Sequence, residues 1–323
     1  MRFLAAILAC GCILGYTGPG WAWTVPATGI TTCYDQTGAI TCPTPGQAFY
    51  GQNGNYPGQP HVFTDGGVTV TDQTTGLTWQ KTPDDTARNL DDALAYCVAL
   101  DLGGFGDWRL PHQRELVTLI NHAASKPAFP EGLGGASGHY WSDTLYVGYG
   151  GAAWYVNYAY GVSEFNATAE GRLTRCVRGA TLADSVFTAQ ANHVTDATTE
   201  LVWEKAPSAS GMTWEQALAY CENQATDGYG DWRLPSVMEL RTLVAYGQIN
   251  PAIDTTKFQE TGVTYWTGST CDGYPDLAWS VDFASGVSAN GDKTSNSSHA
   301  RCVRGGVQVQ HSSAPLYKLI LLR

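Results

Sequence analysis

The sequence predicts an α+β protein made of two tandem, homologous domains, and three observations carry that reading. One string is written twice, as GDWRLPHQREL from Gly106 to Leu116 and as GDWRLPSVMEL from Gly230 to Leu240. Other landmarks recur at nearly the same spacing. Trp79 and Trp203, like Cys97 and Cys221, are offset by 124, Tyr140-Trp141 and Tyr265-Trp266 by 125, and RCVRG at Arg175 and Arg301 by 126. One-residue drifts between fixed landmarks are what surface loops tolerate over a shared scaffold. Third, strand-like and helix-like periods follow one another in the same order in both copies.

Each copy opens with a hairpin signal, VTVTDQTTGLTWQK (Val68 to Lys81) or HVTDATTELVWEK (His193 to Lys205), in which β-formers flank a D-x-x-T turn. A first helix follows over Leu90 to Leu100 or Thr213 to Gln224. Ala93, Tyr96, Cys97 and Leu100 fall at i, i+3, i+4, i+7, so a cysteine sits on its buried face. Thr213 and Gln216 have the spacing of a capping box. In the duplicated string Trp-Arg-Leu is short and extended, and Pro111 or Pro235 is expected at the first position of a second helix. Leu116, Leu119 and Ile120, or Leu240, Leu243 and Val244, give that helix its apolar stripe. Asp107 and Arg109 flank a tryptophan that must be buried, and an ion pair or main-chain hydrogen bonds that orient the turn account for them without catalysis. The remainder of each copy is rich in Gly, Ser, Tyr and Asn, with three strand-like pieces at His139 to Thr144, Ala152 to Tyr158 and Thr174 to Gly179.

A chain of 323 residues with 43% hydrophobic, 11% aromatic and 15% charged residues has material for two cores and is globular rather than disordered. The net charge is -11 with 18 Lys and Arg, so nucleic acid and anionic membranes lack their electrostatic attraction. Residues 1–22 read as a signal peptide, with cleavage near Ala22. Lipidation of Cys10 is the alternative. No other apolar run reaches the roughly 18 residues a spanning helix needs. The expected location is therefore outside the cytoplasm: extracellular, at the cell surface or in the periplasm. The expected organisation is a leader over 23–66, repeats over 67–180 and 181–306, and a tail over 307–323.

Cleavage near Ala22 would remove Cys10 and Cys12 and leave seven cysteines. In an oxidising compartment the recurring pairs Cys97–Cys176 and Cys221–Cys302 are expected as one disulfide per repeat. Each closes a loop worth roughly 4 kcal/mol on the chain-entropy model. Cys33 and Cys42 form the natural third pair, and Cys271 is left over, favoured as a free thiol, with an intermolecular bridge or another pairing as alternatives.

The order of hairpin, two helices, long loop region and strands resembles the C-type lectin-like fold. More narrowly, the string TGLTW, YC, GDWRLP, EL, YW, AW, RCVRG is similar to domain of unknown function 1566, the Lcl C-terminal domain named after a collagen-like adhesin. That resemblance implies two lectin-like domains, each a short mixed or antiparallel sheet with two helices and a long loop region. It also implies recognition or adhesion toward a glycan or surface protein. The ligand surface would then be Tyr146, Tyr149, Trp154, Tyr158 and Tyr160 in repeat 1, with Tyr274 and Trp279 in repeat 2. No cofactor is expected, calcium being the one to consider, through Asp272, Asp276 and Asp282. Sulfated polysaccharide fits poorly, since Val68 to Ala180 holds 8 Lys and Arg against 12 Asp and Glu, and Thr181 to Gly306 holds 7 against 15.

No catalytic motif stands out, and no histidine is kept between the copies: His112, His122 and His139 align with Ser236, Tyr246 and Thr264. The expectation is a protein without enzymatic activity. The alternatives are an assembly component of an envelope complex or surface fibre, which would form homo-oligomers, and an enzyme like the formylglycine oxidases.

Overall fold

The structure is a computed structural model that describes residues 23–126, 128–259 and 262–305. The expected signal peptide with Cys10 and Cys12, and the tail over 307–323, lie outside the described residues. The leader carries a small hairpin of β1 (Cys33–Tyr34) and β2 (Ala39–Ile40), closed by the Cys33–Cys42 disulfide. Repeat 1 runs β3 (Phe63–Asp65), β4 (Thr69–Asp72), β5 (Thr78–Gln80), α1 (Leu90–Ala99), α2 (Gln113–Thr118), β6 (His139–Leu145), β7 (Ala152–Asn157), β8 (Val162–Ala167) and β9 (Val177–Arg178). Repeat 2 keeps that order as β10 (Phe187–Ala189), β11 (His193–Asp196), β12 (Leu201–Glu204), α3 (Trp214–Glu222), α4 (Val237–Arg241), β13 (Thr264–Cys271), β14 (Tyr274–Asp282), β15 (Val287–Asp292) and β16 (Val303–Gly305).

Each repeat holds two antiparallel sheets where the sequence suggested one. Four strands pair in the order β3-β4-β5-β9 or β10-β11-β12-β16, and three in the order β6-β7-β8 or β13-β14-β15. β3 pairs with β4, so the first sheet of repeat 1 begins inside the stretch assigned to the leader. The last strand returns beside the second strand of the opening hairpin. One disulfide ties each first helix to the residue just before that last strand, Cys97 to Cys176 and Cys221 to Cys302, with Cα atoms 5.5 and 5.4 Å apart.

The duplicated string is a fastening between helix, turn and last strand. Arg109 N–H donates to Val177 O and Arg233 N–H to Val303 O, each at 2.9 Å, which hangs Trp-Arg-Leu on the final strand. Asp107 and Asp231 pair with Arg178 and Arg304 of that strand. The Arg109 guanidinium forks onto Glu115 with both distances 2.6 Å, and Arg233 onto Glu239 at 2.7 and 2.6 Å. Each glutamate also accepts from the N-cap N–H of its own helix, closing a capping box. His112 and Ser236 take the cap, so Pro111 and Pro235 stand one residue outside it and not at the first helical position. Trp108 and Trp232 are buried beneath the turn. The first arginine of each RCVRG is spent on main-chain carbonyls. Arg175 donates to Gln80, Lys81 and Gly134, and Arg301 to Glu204, Lys205 and Gln259.

The leader is packed across both repeats. Trp23 N–H donates to Thr198 O, Ser269 Oγ–H to Asn53 Oδ1, and the Tyr56 hydroxyl to Glu222, all in repeat 2. On the other side His122 N–H donates to Thr28 O, and His61 Nε2 lies 2.8 Å from Thr118 O.

Two outcomes follow from these contacts. Glu239→Gln leaves Arg233 enclosed against a neutral amide and is expected to cost about 3 kcal/mol or more in urea unfolding. Asp231→Asn, whose carboxylate is largely in solvent, is expected to cost less than about 1 kcal/mol. Burial pushes the Glu222 carboxyl up to about 7, against the Tyr56 hydrogen bond and the Arg233 charge that pull it down. A carboxyl raised on folding binds its proton first in the folded state, so its contribution to stability falls as pH rises from its ordinary 4.5 through about 7. Thermal unfolding should therefore show Glu222→Gln gaining on the unaltered protein as pH rises from about 4.5 to about 7.

Candidate ligand cleft at the repeat interface

The repeats meet along β8 and β15, where Ser163 N–H donates to Ser288 Oγ at 3.1 Å. These serines are counterparts, so the seam runs through a local pseudo-twofold. On either side of it an indole crosses the boundary. Trp154 of β7 packs edge-on against Tyr246 of repeat 2, with ring centres 5.3 Å apart, among Leu243 and Val244. Its counterpart Trp279 of β14 packs edge-on against His122 of repeat 1 at 5.0 Å. His122 and Tyr246 occupy the same aligned position, so the exchange is reciprocal. Gly286 at φ +85° makes room for it, since a Cβ there would lie 2.9 Å from Val244 and 3.5 Å from Trp154. Arg114 reinforces the seam by donating to Thr242 O at 3.1 Å and to Asp184 at 3.0 Å. Burial, with the nearby Arg241 charge, holds His122 well below its ordinary pKa, so its ring is neutral.

The expected ligand surface is therefore divided. Trp154 is 1% exposed and Trp279 4%, both withdrawn from solvent into the seam, and Tyr158 is buried with its hydroxyl donating to Leu116 O. Tyr146 is half-buried and stacks face to face on Phe165 at 3.5 Å. Tyr149, Tyr160 and Tyr274 remain more than half exposed. Tyr149 in the β6–β7 turn and Tyr274 at the start of β14 are counterparts, while Tyr160 stands apart beside Lys126.

The three aspartates considered for calcium do not converge. Asp272 lies in the β13–β14 turn and Asp282 at the far end of β14, a strand whose length puts them roughly 25 Å apart. Asp282 is already used by Ala284 N–H and Ser285 Oγ–H in the following turn. Among the described residues no three His, Cys, Asp or Glu side chains gather to hold a metal ion. Cys271 is unpaired and buried, and burial pushes its thiol up to about 12, so it offers neither a thiolate nor a surface sulfur for an intermolecular bridge.

Leu145 and Val147, at the start of the Tyr-rich stretch, form one wall of a cleft. The turn between β6 and β7 presents Leu145, Val147 and Tyr149, 60%, 52% and 63% exposed. Beneath it lies a cleft of about 380 Å³ between the repeats. Its lining includes His112 and Arg114 from repeat 1, Asp184 from the connector, and Phe187, Tyr246 and Asp254 from repeat 2. An apolar wall with a few convergent polar groups, at this size, is the usual constitution of a ligand site. None of those six residues was anticipated. The signal that marks them is divergence between aligned copies: Arg114 stands opposite Met238, Tyr246 opposite His122, and Leu145 and Val147 opposite Thr270 and Asp272.

Among the described residues no helix is long and apolar enough to cross a membrane. No curated protein matches the chain. The Lcl C-terminal domain matches it twice, over residues 68–178 and 192–304, which are the two structural repeats. The chain thus belongs to the Lcl C-terminal domain family, as a tandem pair.

Proposed function

We propose that this is an exported, non-catalytic recognition protein that binds a glycan or a surface protein at the cleft between its repeats, and that each repeat is a C-type lectin-like domain. The observation that carries the reading is the β6–β7 segment, whose exposed Leu145 and Val147 line the cleft beside polar groups of both repeats, with Tyr149 exposed two residues further along the same turn. A tyrosine face with hydrogen-bonding groups at its edge suits a sugar ring or a protein side chain. The disulfide between first helix and last strand, and the position of the cleft in the loop region after the second helix, support the lectin-like assignment. An acidic chain with its RCVRG arginines committed internally favours a neutral ligand over a sulfated one. The buried Cys271 and the absence of any histidine common to both copies support a role without catalysis.

A glycan array and a panel of surface proteins, read in a salt series and with a calcium chelator, test this. Binding is expected to survive both high salt and chelation, because an apolar wall is not screened. Tyr149→Ala is expected to weaken it about tenfold, while Tyr160→Ala, remote from the cleft, leaves it unchanged. Full binding by Tyr149→Ala, or loss of binding in the chelator, contradicts the site.

A further inference from the structure

The pseudo-twofold that relates the repeats produces two grooves, and only one is open. On the open side the wall is Leu145, Val147, Tyr246 and Gly247, facing Asp184, Val244 and Asp254. The counterparts of the first four are Thr270, Asp272, His122 and Ala123, which line a remnant of about 60 Å³. The counterparts of the last three are Pro60, Ile120 and Pro130, which line a second remnant of about 130 Å³. Between the two remnants runs the chain's own leader, whose Gly29 borders both. A groove of about 380 Å³ on one side is thus, on the other, filled and split by a polypeptide segment.

The seat of that segment is specific. His122 N–H donates to Thr28 O at 2.8 Å. Gly29, at φ +84°, passes so close to the 121–123 turn that a Cβ would lie 2.3 Å from Asn121 Oδ1. Thr28 and Ile30 are buried on either side of it. In the open groove the corresponding donor, the Tyr246 N–H, has no main-chain acceptor among the described residues. Ala245 replaces Asn121 there, which removes the side chain that restricts position 29 to glycine.

We infer that the open groove is a docking site for a polypeptide segment of a partner protein, lying as the leader lies in the counterpart groove. This rests on the recognition reading above and names the class of ligand. The groove sets the segment's chemistry. One main-chain carbonyl meets the Tyr246 N–H. Apolar side chains follow it, because Leu145 and Val147 stand where the leader meets Thr270 and Asp272. A lysine or arginine lies toward the N-terminal end, because Asp254, and Asp184 which Arg114 already shares, stand where the leader meets Pro130 and Pro60. Exposed apolar side chains beside an unfilled donor are the elements by which a groove takes up a chain segment.

The probe is a fluorescent peptide with the sequence of Val25 to Tyr34, carrying Ala27→Lys and Cys33→Ser, titrated into the purified protein and read by anisotropy. Saturable binding is expected. The double variant Leu145→Thr with Val147→Asp, which installs the residues of the filled groove, should weaken it at least about tenfold. Both positions are exposed, so the fold is retained, and a thermal melt checks this. In a second variant, Asp254→Asn, which leaves the Arg114–Asp184 pair of the seam intact, the preference for the Ala27→Lys peptide over its Ala27 parent should fall. No saturable binding, or equal binding by the first variant, overturns the inference. If a glycan still binds in a Tyr149-dependent way while the peptide does not, the inference fails and the recognition reading stands. Loss of both removes the reading itself.

Discussion

Each repeat sets one indole across the seam against a ring of the other, over packing from its own side: Tyr146 and Phe165 for Trp154, and Val237, Met238 and Cys271 for Trp279. Trp154 rests on Tyr246 and Trp279 on His122, at closely similar distances and both edge-on. A tryptophan buries roughly 150–250 Å², so this exchange fixes how the repeats meet more firmly than the few hydrogen bonds around it. The position of β8 against β15, the Ser163–Ser288 contact and the two flanking grooves all follow from where those rings sit. The duplicated string serves this arrangement at one remove, because its bidentate Arg–Glu pair and capping box set the angle of the short helix whose following turn carries His122 or Tyr246.

Duplication gives two equal grooves, and divergence has made them different. The leader occupies one groove, anchored to repeat 2 through Asn53 and Tyr56 and to repeat 1 through Thr28. The other is bordered by a more apolar turn and by two aspartates, and it is the one that keeps space for a ligand. A chain that stabilises itself by lodging its own segment in a groove also displays what that groove shape can hold.

Much of the scaffold was legible from the sequence because it is written twice. The hairpins, both first helices, the three disulfides and the free Cys271 follow from aligned periods and cysteine arithmetic. The Asp107 and Arg109 ion pairs follow from their place around a buried ring. The third strand of each second sheet was not legible. In β8 and β15 the buried positions include Ser163 and Ser288, polar residues that face the other repeat, so the apolar alternation that marks a strand is missing. For the same reason Trp154, Tyr158 and Trp279 read as a ligand surface: a run rich in Tyr and Trp looks alike whether it faces solvent, its own core or a homologous neighbour. The cleft itself is built from four stretches far apart in sequence, and only the departures from internal symmetry point to it.

The central claim is that the repeats stabilise one another through the exchanged tryptophans. Hydrogen exchange on Trp154→Ala, resolved by repeat and with the disulfides intact, tests it most directly. The account predicts that this substitution in repeat 1 costs about 3–5 kcal/mol and lowers protection around Val244 and Tyr246 in repeat 2 as much as in β7. Unchanged protection throughout repeat 2, with the loss confined to repeat 1, would contradict it.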